Sequence, residues 1–286
     1  MSKRNTSAVQ IAAILAISLA VFWAGISTIP AQQSHPVSDI LERTARMRTV
    51  TGENENIGSV SDETIWPAGG IRPKPGPFCT VLPCATVALE IVSDSILDTI
   101  AGLGVQVVLV NGLDSAGKEI EQLIDMNGTE PVPIPISLYR IQPSRNAQVG
   151  TLRGNDGVIS IQGIGGGILY DIIEIDPGGT PFGVTHSGTF TVPAGNVFVL
   201  ESIFWGTDDV TRALLIQDFR LSGIRVLPVI IQGQEQIIGL PLCFPAFTDI
   251  EIRAQSDTGN GQMTVALTGE LFPRPLSLTQ EVGLCP

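Results

Sequence analysis

The residues able to do chemistry are few and far apart. There are two histidines, His35 and His186, and neither has a chemical partner near it in sequence. A serine nucleophile of the hydrolase type needs a Gly-x-Ser-x-Gly turn, and a zinc hydrolase needs His-Glu-x-x-His on a helix; neither string occurs. Gly163-Ile164-Gly165-Gly166-Gly167 has the glycines of a phosphate loop, but no Lys-Ser/Thr follows and no helix opens from it. It reads as a hairpin or bulge. Asn155-Asp156-Gly157 and Asp208-Asp209 offer oxygens without the alternating ligands of a calcium loop, so they read as turns. Facing carboxylates for glycoside hydrolysis leave no linear signature, because their separation is set in three dimensions. The sequence assigns no catalytic residue, no cofactor and no metal ligand, and the chain is not read as an enzyme.

The cysteines carry a different chemistry. Cys79 and Cys84 are close together, whereas Cys243 and Cys285 lie far downstream. Four cysteines allow three pairings, of which Cys79–Cys84 plus Cys243–Cys285 is the simplest, the second bond pinning the C-terminal tail. The alternative is a structural zinc held by all four thiolates. That arrangement usually takes two close pairs with short spacers, and only one is present. Disulfides imply an oxidising compartment.

An export signal stands at the start. Lys3 and Arg4 precede an apolar run from Ala8 to Ala31, long enough for a membrane-spanning helix and longer than the core of a cleavable signal. Residues 1–31 are therefore either a signal-anchor or a signal peptide, with the basic end inside and the bulk exported. Residues 32–84 read as a stalk. They comprise a short helix from Ser38 through Ile40, Leu41, Thr44, Ala45 and Met47, an irregular stretch from Thr51 to Ser61, and a stiff proline-dense lead-in up to Pro83.

Residues 85–286 read as the folded body. Hydrophobic residues make up 43% of the chain and charged ones 15%, enough for a sizeable core and too apolar for disorder. The 31 glycines and 20 prolines are dispersed as turn punctuation between β-branched runs. Strands are predicted over 86–92, 105–110, 119–126, 132–141, 158–164, 168–175 and 188–192. More follow over 196–205, 212–221, 225–231, 236–240, 248–254 and 262–271. Asn111-Gly112 with Ser115-Ala116-Gly117, and Asn127-Gly128, are predicted turns, the last also opening a glycosylation sequon with Thr129. Trp66, Trp205, Tyr139 and Tyr170 read as core or intersubunit packing. Many short strands without helices between them predict an all-β antiparallel sandwich, jelly-roll-like, behind the N-terminal helix. A net charge of −12 repels phosphate backbones and argues against direct nucleic-acid binding.

Several strings in this body resemble a known pattern. Ala101-Gly102-Leu103-Gly104-Val105, then Val108-Leu109-Val110-Asn111-Gly112-Leu113-Asp114, then Asn127-Gly128-Thr129-Glu130-Pro131-Val132 are similar to the "TAAGTGA–VLVEGLD–LNGTTPV" pattern. That pattern belongs to a family of small structural proteins of marine tailed phages and algal viruses. Glu63-Thr64-Ile65-Trp66 with Gly69-Gly70, Phe190 to Gly195, and Thr248 to Ala254 extend the resemblance across roughly residues 57 to 271. The N-terminal apolar segment and the four cysteines depart from it. The resemblance implies a virion or adhesion role and supplies no binding residues. The expectation is a virion structural protein, capsid-associated or a surface fibre or spike. It would form a symmetric homo-oligomer, with a trimer preferred, meet other virion proteins and a host-surface receptor, and touch the membrane through residues 8–31. A membrane-tethered or secreted cellular surface-binding protein of adhesin type is the alternative.

Overall fold

The computed structural model describes residues 46–77, 79, 81–175, 183–208, 210–219, 223–229, 236–238 and 242–273. The apolar segment at 8–31, His35 and Cys285 lie outside the described residues. Among the described residues no helix is long and apolar enough to cross a membrane.

Seventeen strands are described, and each ladder between them is antiparallel. They are β1 Arg46–Ile57, β2 Glu63–Thr64, β3 Leu89–Ser93, β4 Val105–Leu113, β5 Glu119–Asp125, β6 Val132–Pro133, β7 Arg140–Val149, β8 Ile159–Gly163 and β9 Leu169–Ile173. Then come β10 Thr189–Thr191, β11 Asn196–Asp208, β12 Val210–Phe219, β13 Gly223–Val229, β14 Gln236–Ile238, β15 Leu242–Pro245, β16 Asp249–Ser256 and β17 Gly261–Pro273.

They build two sandwiches, one interrupting the other. The outer sandwich has a sheet ordered β1-β17-β11-β14, with β15 on the same side of β11 as β14, and a sheet ordered β10-β16-β12-β13, with β2 continuing the line of β10. The inserted sandwich, β3 to β9, pairs the sheets β6-β3-β8-β9 and β5-β4-β7. Each has its own core. Phe198, Trp205, Phe190, Phe244, Ile250, Ile252, Val265 and Leu267 fill the outer one, and Leu89, Ile91, Val108, Val110, Leu138, Ile159 and Ile161 fill the inserted one. Trp66, Trp205, Tyr139 and Tyr170 are all buried.

Period-2 patterning explains most of these elements. In β17, Met263, Val265, Leu267 and Leu271 point inward, while Gln262 and Thr264 point out. Strand β1 corrects the expectation of a stalk and an irregular stretch. Its sequence, RMRTVTGENENI, carries few apolar residues, yet it pairs with β17 from Arg46↔Leu271 to Asn54↔Met263 and forms a sheet edge. Its inward face buries Val50 and Ile57 in the core, and between them it needs small size and an internal hydrogen bond. A Cβ on Gly52 would stand 2.4 Å from the Gly188 nitrogen, and Asn54 donates to the Thr64 carbonyl at 3.2 Å.

Two other readings change. The strand expected over 132–141 is interrupted. Pro131, Pro133 and Pro135 cannot donate to a ladder, so β6 is only Val132–Pro133, a single bridge joins Leu138 to Val87, and regular pairing resumes with β7 at Arg140. Asn111-Gly112 lies within β4, not in a turn. Gly112 is needed there because a Cβ would meet the Arg140 carbonyl oxygen at 2.7 Å. The turn is Asp114–Lys118, around the expected Ser115-Ala116-Gly117, where the Asp114 carboxylate accepts from the amides of Ala116 and Lys118. Asn127-Gly128 does turn as expected, with Gly128 at φ 64° and Asn127 exposed.

Cys79 and Cys84 form a disulfide just before β3, against Tyr139, Leu113 and Phe247, where the sandwiches meet. Cys243, on β15, is also disulfide-bonded. Its expected partner, Cys285, lies outside the described residues. The Cys79–Cys84 bond closes a short loop, so chain entropy gives it about 2 kcal/mol. Replacing both cysteines with serine should lower the unfolding free energy by about that amount in urea titration.

Candidate functional site

Strand β16 alternates apolar and charged residues, the pattern of a strand with one face in water. Ile250, Ile252 and Ala254 do enter the outer core. The other face, with Asp249, Glu251 and Arg253, is covered instead of solvated. Thr64 of β2, Lys74 of the proline-rich segment, Thr191 of β10 and Arg140 of β7 converge on it, bringing both sandwiches to one cluster.

Arg140 is the centre of the cluster. Its Nε and Nη2 donate to Asp249 Oδ1 and Oδ2 at 3.1 and 2.9 Å, a two-pronged pair between β7 and β16. Its Nη1 donates to the carbonyls of Pro75, Gly76 and Tyr139, and the guanidinium lies 3.9 Å from the centroid of the Tyr139 ring. Asp249 also accepts from Thr191 Oγ1 at 2.5 Å. Lys74 Nζ stands 3.5 Å from both Asp249 and Glu251. Glu251 takes Arg253 on both oxygens, at 2.9 and 3.0 Å, and Thr64 Oγ1 on one.

Burial pushes the Asp249 carboxyl up, but Lys74, Arg140 and the bonds from Arg140 and Thr191 together outweigh it and hold it below its ordinary range. Glu251 is likewise raised by burial and held low overall, chiefly by the Arg253 bond and the Lys74 charge. The two carboxylates are inaccessible, ionised and bonded on every oxygen. Such a pair does not exchange protons with a substrate; it fastens one sandwich to the other. A lowered folded-state pKa stabilises above the unfolded carboxylate value, and that contribution is lost as pH falls through the folded value. Urea midpoints should therefore drop as pH is taken from ~5 toward ~2, and Asp249→Asn should show a shallower drop.

A second contact repeats the theme. Arg72 Nε donates to the Tyr170 carbonyl at 2.8 Å, and its Nη1 bonds Thr189 of β10. Its Nη2 sits 3.0 Å from Asp171 Oδ2 without the alignment of a hydrogen bond. In that poorly aligned pair burial dominates and pushes the Asp171 carboxyl up. His186, read from sequence as an unpartnered turn residue, lies 3.1 Å from Glu53 Oε2. Beside them Glu174 is pushed up by burial, then by Glu53 and Glu55.

At the far end of the inserted sandwich Asp98 ties three loops together. Fully buried, it accepts from Ser93 Oγ at 2.6 Å and from the amides of Val105, Asp156 and Gly157 at 2.8, 2.9 and 2.9 Å. Asn155 is spent internally, donating to the Gly157 and Glu174 carbonyls at 2.7 Å each. Asp208 sits at the end of β11, and Asp209 lies outside the described residues. Among those residues no three histidine, cysteine or acidic side chains converge as a metal site requires. The glycine string is the β8–β9 hairpin, as expected. Its amide groups at Gly165 and Gly166 donate to Glu90, so a carboxylate of this chain occupies the place a bound anion would take. The Gln162 amide, then those two glycine amides, hold Glu90 below its ordinary range.

No family model matches the chain, and no curated protein sequence matches it. Among solved structures, a chain from infectious bursal disease virus, Gt strain, is 13% identical over 80% of this chain and 72% of its own, with a TM-score of 0.19. One from T=1 particles derived from infectious bursal virus is 11% identical over 84% and 80%, with a TM-score of 0.16. At such TM-scores the likeness to viral particle chains is weak.

Proposed function

We propose that this chain is a virion structural protein acting by assembly and surface contact, in a symmetric homo-oligomer. The observation that carries the reading is the connectivity of the outer sandwich. Taken in chain order, its strands step between the two sheets: β1, then β2 and β10, then β11, then β12 and β13, then β14 and β15, then β16, then β17. That is the strand order of a jelly roll, a fold used by viral capsid and lectin domains. Fold alone does not fix function. The reading is supported further by the sequence resemblance to virion structural proteins, and by an insertion bonded to the jelly roll through Arg140 and Arg72.

In this account the carboxylate clusters hold the fold together, and the outer surface does the work. Residues 1–31 serve as a signal-anchor or a cleaved signal peptide, and the disulfide-bearing body lies on the exported side. Electron microscopy of the purified full-length chain tests the reading. Closed rings or shells of uniform symmetry are expected. Isolated single particles that never close would favour a tethered surface-binding protein of the host cell.

A further inference from the structure

The acceptor string for N-linked oligosaccharide is asparagine, any residue but proline, then serine or threonine. It occurs twice in the chain, at Asn5-Thr6-Ser7 and at Asn127-Gly128-Thr129. Asn5 precedes the apolar run at 8–31 and lies outside the described residues. Asn127 lies far beyond that run, in the loop between β5 and β6. The fold holds the backbone of this loop and leaves its polar side chains unused. Gly128 N donates to the Asp98 carbonyl at 2.7 Å, Ser93 N donates to the Gly128 carbonyl at 3.0 Å, and Glu130 N closes the turn on the Asn127 carbonyl at 3.2 Å. Gly128 itself is buried on left-handed backbone at φ 64°, and Asn127 and Thr129 on either side of it are exposed. Other asparagine amides are committed to the fold. Those of Asn54, Asn111 and Asn155 donate to the carbonyls of Thr64, Pro143 and Gly157, and that of Asn146 donates to Asn155 Oδ1. Neither the Asn127 amide nor the Thr129 hydroxyl bonds any described residue. An oligosaccharide joined to Asn127 therefore costs the folded chain no hydrogen bond and displaces no packed side chain.

We propose that Asn127 is an N-glycosylation site, modified as the body crosses a eukaryotic secretory membrane. The inference rests on the export reading of residues 1–31, and the disulfide state of Cys79, Cys84 and Cys243 fits the same passage. The co-reactant is a lipid-linked oligosaccharide diphosphate. The Asn127 Nδ2 bonds C1 of its first sugar, the C1–O bond to the diphosphate breaks, the lipid diphosphate leaves and the amide gives up one proton. Thr129 supplies the hydroxyl that the acceptor string requires. Topology separates the two strings. The transfer takes place on the exported side, where the body goes, while the basic end stays behind with Asn5 or is removed with the signal. Asn127 is modified and Asn5 is not.

The test is cell-free translation of the full-length chain with endoplasmic-reticulum microsomes, read as a gel shift that peptide N-glycosidase F reverses. Protease added to the intact microsomes reports in parallel whether the body has crossed. A protected body carrying a single oligosaccharide is expected. The shift should vanish in Asn127→Gln and, independently, in Thr129→Ala, and should persist in Asn5→Gln. A protected body with no shift would overturn the proposal while leaving the export reading intact. So would a shift that survives both Asn127→Gln and Thr129→Ala. A body digested by the protease, or a shift lost in Asn5→Gln, would overturn the export reading and the proposal together.

Discussion

Replacing Arg140 with alanine lowers the unfolding free energy by about 3–5 kcal/mol, the cost of stranding a buried charge. Asp249 would lose its two-pronged partner while its surroundings stay dry, and the carbonyls of Pro75, Gly76 and Tyr139 would lose a shared donor. Lys74, 3.5 Å away, compensates only in part. Replacing both partners with apolar residues of similar volume, Arg140→Met with Asp249→Leu, should cost far less, because no charge is then left unpaired. Urea titrations of the single and double variants decide the matter. A loss under about 1 kcal/mol for Arg140→Ala would mean that water reaches the cluster.

Asp98→Ala should be the next most costly change, at about 3 kcal/mol or more, since each buried donor left without an acceptor costs about 1–3 kcal/mol. Ser93 Oγ and the amides of Val105, Asp156 and Gly157 all lose their acceptor at once. Asp98→Asn retains only one acceptor oxygen and should fall between the two. Hydrogen exchange gives the site-resolved reading: protection at Val105, Asp156 and Gly157 should collapse in Asp98→Ala, while β16 amides keep theirs. Unchanged protection at those three amides would remove Asp98 from its role as the hub of the loops.

Much of the fold was legible in the sequence. Alternation placed β3, β4, β5, β8, β9, β11, β16 and β17 close to where they lie, because those strands bury one face against a core. Strand β1 was missed because only Val50 and Ile57 of its inward residues are apolar, and Gly52 and Asn54 between them serve backbone approach and a hydrogen bond. The charge cluster was hidden by the rule that found β16. Asp249, Glu251 and Arg253 alternate with apolar residues as a solvated face does, and nothing local reveals that Arg140, 109 residues earlier, covers them. The Asp98 hub is concealed the same way, its farthest donor lying 59 residues on. A proline-rich segment carrying Arg72 and Lys74 was the available hint, since stiff backbone with two cations suits threading between two acidic surfaces.

Assembly is the claim on which the account of function rests. Light scattering on the purified full-length chain, at micromolar concentration in mild detergent with disulfides intact, tests it most directly. The account predicts one discrete symmetric species, with a mass of three chains preferred, that persists on dilution. A monomer at every concentration, with no larger species in the presence of lipid, would contradict it.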